Sequence, residues 1–250
     1  MRPCLVVLLA ILASTFAAGA EARAATSSDV RPPGLSTPLG TERLSDERMI
    51  TRWAHALFQG TIRRNTWVRS PKVGKLRRLT EDYEPEVYVV LASHIDSEGK
   101  AWLRVRIPGR PNGRTGWALA ENFGALTVVR TKLRVNRKTL RATLFRNGKV
   151  IWRSRIGVGA PSTPTPAGHF YVRERLRNLG GSPIYGPWAF GTSAYSTLSE
   201  WPRGGVVGIH GTNQPQLIPG RPSHGCIRVP NRNIRRLAKL LPLGTPVEIL

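Results

Sequence analysis

Cysteine is almost missing from this chain: its 250 residues hold two, Cys4 and Cys226. That excludes a disulfide-stapled scaffold, and the sequence shows neither a Cys-x-x-Cys nor a His-Glu-x-x-His metal pattern. Acidic residues are scarce as well, 15 against 38 basic ones, for a formal net charge of +23. Such an excess draws anionic partners from a distance, among them a wall polymer, a membrane surface or nucleic acid. Long hydrophobic runs are also lacking. The apolar stretch from Cys4 to Ala18 is too short to span a bilayer.

That stretch follows a positive start, Met1-Arg2-Pro3, and precedes the small-residue sites Ala18-Gly19-Ala20 and Ala22-Arg23-Ala24. The pattern predicts a secretory signal peptide over 1–24, export to the periplasm or cell wall, and no stable membrane insertion after cleavage. An exported chain has little call for nucleic acid, and charge alone does not choose between a wall polymer and a membrane surface. Cys4 departs with the signal, so Cys226 is left as a lone thiol that cannot form an internal disulfide. An unpaired thiol in an oxidising compartment is a liability unless it has a chemical role. Its neighbours Ser223, His224 and Arg228 are polar, which argues against an apolar burial site.

Hydrophobic residues make up 40% of the chain, enough for a substantial core. Residues 25–58 are rich in Ser, Thr, Pro and Gly at their start and read as a tether, with a short helix allowed at 51–58. Residues 59–125 read as short strands: Val87–Leu91, Ala101–Ile107 and Thr115–Leu119, the second alternating apolar and basic. This part resembles a bacterial SH3-like barrel, which implies either wall binding or a structural role. From 126 a second mainly β domain begins, with Asn147-Gly148 as a type I′ hairpin signal. Asn231 is the expected N-cap of a short C-terminal helix carrying Ile234, Leu237, Ala238 and Leu241 and ended by Leu243-Gly244.

The chemistry concentrates in Ile209-His210-Gly211-Thr212-Asn213 and Ser223-His224-Gly225-Cys226-Ile227-Arg228. A thiol attacks an acyl carbon as thiolate, and an adjacent imidazole can take its proton. His210 ends a short apolar strand, and the loop that follows can return Cys226 to it. His224 is the second candidate base. No Asp or Glu accompanies His210, so the Gly211 carbonyl is the expected orienter of its ring. Gly225 allows close backbone approach, and the Gly225 and Cys226 amides are the candidate oxyanion donors.

These motifs resemble the catalytic signature of the L,D-transpeptidases (YkuD type). Gly159–Phe170, with its Thr-Pro-x-Gly-x-Phe run, Tyr185–Gly191 and Ala194-Tyr195-Ser196 extend the resemblance over about 126–250. The resemblance implies that Cys226 attacks the bond between a diamino acid and the terminal D-alanine of a peptidoglycan tetrapeptide stem. An acyl-enzyme thioester would form and pass to an acceptor stem amine, or to water in an L,D-carboxypeptidase. It further implies His210 as base, Gly211 as orienter, and His224, Gly225 and Cys226 as the catalytic loop. Ser223, Arg228, Trp188 and Tyr195 would meet the substrate, Ser223 also orienting the loop by hydrogen bonding; no cofactor or metal is needed, and carbapenems would acylate Cys226. Two rivals stay open: a metal site on His210, His224, Cys226 and His169, and a wall-binding protein with an inactive catalytic domain. Anchoring of a protein on the wall is a further variant of the chemistry.

Overall fold

The computed structural model describes residues 40–250; the expected signal peptide and the tether before Gly40 lie outside the described residues. Eight strands come first: β1 Gly40–Arg43, β2 Thr51–His55, β3 Gly60–Arg63, β4 Lys72–Leu76, β5 Val87–Ile95, β6 Ala101–Arg106, β7 Thr115–Leu119 and β8 Thr127–Val129. They form one sheet in the order β4-β3-β7-β6-β5-β2-β8, with β1 on the far part of β5. Residues 40–58 are therefore not the tether or short helix their composition suggests. Thr51-Arg52-Trp53-Ala54-His55 lacks a strict apolar alternation, and it becomes a strand because β5 and β8 pair with it on either side.

β6 shows how the alternation works. Leu103 and Val105 face the core with Ile62, Leu76, Tyr88 and Val90. Each side chain so buried stabilises the fold by roughly 1.5–3 kcal/mol. The opposite face is less wet than expected, because Arg106 makes a two-pronged contact with Glu47 at 2.7 and 2.6 Å.

The second half is also β: β9 Thr131–Asn136, β10 Arg141–Arg146, β11 Lys149–Arg155, β12 Gly157–Gly159, β13 Gly168–Tyr171, β14 Leu176–Arg177, β15 Trp188–Tyr195, β16 Val206–His210, β17 Gly220–Ser223, β18 Ile227–Arg228 and β19 Pro246–Ile249. One sheet runs β11-β10-β9-β19-β13 and the other β14-β15-β16-β18-β12-β17. The β10–β11 turn is the expected hairpin, with Asn147 and Gly148 both at positive φ (49° and 74°). Between the sheets lies a core of Leu133, Leu144, Trp152, Phe170, Phe190, Ile209 and Ile227.

The one α-helix among the described residues, α1, spans Asn231–Ala238 and buries Ile234 and Leu237 in that core. It ends before Leu243-Gly244, and Pro230 rather than Asn231 occupies its N-cap position. No helix among the described residues is long and apolar enough to cross a membrane.

The described halves belong to one compact unit, and the seam between them is ionic. Arg173 is 1% exposed. Its guanidinium donates to both oxygens of the buried Glu86, to Glu81 at 3.1 Å and to the Tyr195 hydroxyl at 3.1 Å. Tyr195 in turn donates to Glu81 at 2.7 Å. Tyr171 reaches across to the Val87 carbonyl at 2.9 Å. Burial acts to raise the Glu81 carboxyl, but Arg173 and the Tyr195 hydrogen bond outweigh it and hold it below its ordinary value.

Candidate active site

β16 and β18 run parallel, pairing Ile209 with Ile227 and His210 with Arg228. That register sets Cys226, just before β18, beside Gly208. The Gly208 amide donates to Sγ at 3.4 Å. A Cβ placed on Gly208 would lie 3.7 Å from the His210 ring and 3.8 Å from Sγ, so this residue borders both groups at once. Cys226 and His210 line one narrow cleft of about 20 Å³ with Leu179, Tyr185, Ala189, Phe190, Trp201, Arg203, Val206 and Gly208. Cys226 is the free cysteine among the described residues and is partly buried.

His210 is 4% exposed. Its Nδ1–H donates to the Gly211 carbonyl at 2.6 Å, an assignment that follows from the carbonyl being able only to accept. Nε2 is left as the basic nitrogen. Burial pushes the imidazole down to about 4, with Arg228 and Arg203 adding to the fall and the Gly211 hydrogen bond opposing it. Burial pushes the Cys226 thiol up, against the pull of the Gly208 amide, Arg203 and Arg228. Both shifts favour an uncharged resting pair at neutral pH, a thiol beside a neutral imidazole, rather than a standing thiolate–imidazolium pair. Tyr185 packs edge-on to His210, with ring centroids 5.1 Å apart.

The loop 223–226 is held by Ser223, in the orienting role expected of it, and by Thr165. The Ser223 hydroxyl donates to the Cys226 carbonyl at 2.6 Å and receives the Gly225 amide at 3.3 Å. Thr165 donates to the Gly225 carbonyl at 2.8 Å and accepts from the Gly159 amide at 2.9 Å. Gly225 sits at φ 118°, and a Cβ there would come within 3.0 Å of Ser196. On the other side, the Asn231 side chain accepts the Thr212 amide at 2.9 Å. Its Oδ1 lies where a Cβ on Gly186 or Gly211 would fall, at 2.4 Å from either. Asn231 therefore fastens the loop after His210 instead of capping its helix.

Several expected substrate contacts are placed elsewhere. Tyr195 is buried in the seam with Arg173 and Glu81, because its position at the end of β15 turns the ring toward the N-terminal sheet. Trp188 is half-buried against the catalytic core, with the Arg175 guanidinium 4.8 Å from its ring. Ser223 is engaged within its own loop, as is the Gly225 amide, which removes that amide from the expected oxyanion pair. His224 is exposed and stacks on Trp201 at 4.5 Å, outside the residues that line the cleft with His210 and Cys226. Arg228 stays beside the site: it donates to Gln214 at 2.9 Å and its field reaches both His210 and Cys226.

Trp201, Arg203 and Tyr185 are cleft residues with no motif status of their own. Tyr185 lies within a segment already similar to the family's cleft region; Trp201 and Arg203 carried no signal. Among the described residues no group of three or more His, Cys, Asp or Glu is placed to hold a metal. His169 lies on β13, paired with Glu248 of β19 in the other sheet.

The L,D-transpeptidase catalytic domain family (YkuD) matches residues 130–249. YkuD of Bacillus subtilis is 36% identical over 144 residues, 57% of this chain and 72% of that protein. YkuD of Bacillus licheniformis is 37% identical over 120 residues, covering 48% of this chain and 64% of its own length. A crystal structure of an Enterococcus faecium L,D-transpeptidase mutant is similar at 28% identity and a TM-score of 0.39, over 48% of this chain and 49% of that one. The present chain thus spans about half of that solved chain. With a Bacillus relative matched over most of its length, and with the buried imidazole and the thiol meeting in one cleft, the chain belongs to the L,D-transpeptidase (YkuD) family.

Proposed function

We propose that this protein is an exported cysteine acyltransferase that cross-links peptidoglycan. The observation that carries the reading is the shared cleft of Cys226 and His210, with Nδ1 fixed by Gly211 and Nε2 left basic. Substrate entry displaces water. Nε2 takes the thiol proton as Sγ attacks the carbonyl between the diamino acid and the terminal D-alanine of a tetrapeptide stem. The S–C bond forms, the C–N bond breaks, and the proton passes from His210 to the departing D-alanine amine. An acceptor stem's side-chain amine then attacks the thioester and Sγ recovers a proton. Arg203 and Arg228 favour the thiolate by charge while keeping the imidazolium short-lived.

Two further expectations join this reading. The export signal supplies access to the wall, and the N-terminal sheet, similar in sequence to an SH3-like module, is proposed to sit with the catalytic half on that polymer. The net charge of +23 suits an anionic wall.

Intact-mass measurement of the mature protein after incubation with a carbapenem tests the chemistry. One adduct on the native protein and none on Cys226→Ala is the expected result. An adduct that survives the substitution, or no adduct on folded protein, overturns it. Tetrapeptide donors with and without acceptor amine then separate cross-linking from carboxypeptidase activity.

A further inference from the structure

The segment between β15 and β16, residues 196–205, forms a strap beside the thiol. It carries Trp201 and Arg203, both of which line the cleft with Cys226. Its first residue, Ser196, packs against Gly225, immediately before the nucleophile. The strap closes on itself where the Ser196 amide donates to the Gly205 carbonyl at 2.9 Å.

What holds the strap comes from the other half of the protein. Arg110, on the loop between β6 and β7, turns its guanidinium onto strap carbonyls. It donates to Ser196 at 3.1 and 2.7 Å, to Gly204 at 2.8 Å and to Leu198 at 3.2 Å. A lysine offers no planar fork and cannot meet all of these acceptors at once. At the far side Arg203 is fastened to Asp82, also on the N-terminal half, and to Glu174 at 2.7 Å. Arg203 adopts φ 63°, and Gly204 and Gly205 follow at 63° and 77°. Three consecutive left-handed residues form a shape the chain does not hold unaided, least of all at an arginine. Gly205 admits no side chain, because a Cβ would fall 2.1 Å from the Leu198 carbonyl and 2.6 Å from the Arg110 guanidinium.

We propose that Arg110 is a positioning residue: it clamps the 196–205 strap from the N-terminal half, and so sets how closely the cleft fits around Cys226. The N-terminal sheet is then part of the catalytic machinery's geometry as well as a neighbouring module. This rests on the acyltransferase reading for its consequence in catalysis, but the clamp itself is a statement about access to the thiol. Releasing the strap opens the cleft to small reagents and wets the thiol. It also displaces Trp201 and Arg203, which a bound acyl donor needs in place.

The experiment follows two rates on the full mature chain, alkylation of Cys226 by iodoacetamide and acylation by a carbapenem, both by intact mass. In Arg110→Ala alkylation is expected to rise several-fold and its pH midpoint to fall. Carbapenem acylation is expected to drop by up to about 100-fold, the size of effect a displacement of about 1 Å produces. Trp201→Ala, which removes part of the cover without touching the seam, is expected to move alkylation the same way. Tyr171→Phe removes a seam hydrogen bond remote from the strap and is expected to leave both rates as they are.

Unchanged rates in Arg110→Ala overturn the proposal. So does a parallel change in Tyr171→Phe of equal size, which would mark general loosening of the seam. If Arg110→Ala does not fold, an alkylation rate in Trp201→Ala equal to that of the native protein overturns it instead. A native protein that alkylates but never acylates sinks the acyltransferase reading alone, and the alkylation comparison still decides the clamp.

Discussion

The seam and the cleft are both places where this protein buries polar groups, and they treat them in opposite ways. At the seam Arg173 is answered at every nitrogen: it meets Glu86, Glu81 and Tyr195, and Glu86 also receives the Val87 amide at 3.0 Å. Around Cys226 the groups are left short. The Nε atoms of Arg203 and Arg228 have no hydrogen-bond partner among the described residues, His210 keeps one nitrogen uncommitted, and the thiol has a single long contact from Gly208. A satisfied buried network rigidifies, whereas an unsatisfied one waits for something to complete it. The contrast separates what holds the molecule together from the site proposed to react.

The comparison can be broken first at the seam. Glu86→Gln leaves the buried Arg173 charge without its main partner. Loss of one member of a buried pair costs about 3–5 kcal/mol, readable as a fall in denaturant midpoint. Adduct formation at Cys226 is expected to persist wherever the variant remains folded.

Acid separates the regions next. The His210 ring has a folded value of about 4, below its unfolded 6.5, so the unfolded chain binds the proton more tightly. Stability from this group is present above pH 6.5 and is lost as pH falls toward 4, by about 3 kcal/mol in all. Glu81 is held below its ordinary value, so its contribution is present above the usual carboxylate range and disappears at lower pH still. Denaturant titrations across pH are therefore expected to show two losses in sequence, the first missing in His210→Gln. A single loss at carboxylate pH in both proteins would contradict the buried neutral imidazole.

The smallest effect belongs to the loop that presents the thiol. Thr165→Val keeps the shape but deprives the Gly225 carbonyl and the Gly159 amide of a partner, at about 1–3 kcal/mol. Acylation by a carbapenem is expected to slow more than iodoacetamide alkylation does, because only acylation depends on how the loop is set.

The sequence made much of this legible where the signal was local. Alternation located β6, Asn147-Gly148 located the hairpin, and the motifs around His210 and Cys226 located an imidazole and a thiol that share one cleft, with the Gly211 carbonyl found where the ring needed an acceptor. What stayed hidden depended on distant partners. Nothing near Thr51–His55 marks a strand until β5 and β8 flank it. Tyr195 sits in a stretch that resembles a cleft, and only the acidic residues at 81–86 explain why its ring turns away. Asn231 has the side chain of a helix cap and uses it on Thr212, nineteen residues back. Arg110 was one basic residue among 38.

The parallel pairing of β16 with β18 has a consequence for how such a site can change over time. His210 and Cys226, the proposed base and nucleophile, stand at neighbouring strand ends, so their separation is fixed by the ladder between Ile209 and Ile227 rather than by the chain that joins them. Residues 213–217 of that joining chain are exposed. Insertions and deletions there can be taken up at the surface while the thiol and the imidazole keep their places. The sequence spacing between the two motifs is thereby free to drift, while the spacing of thiol and imidazole in space is not.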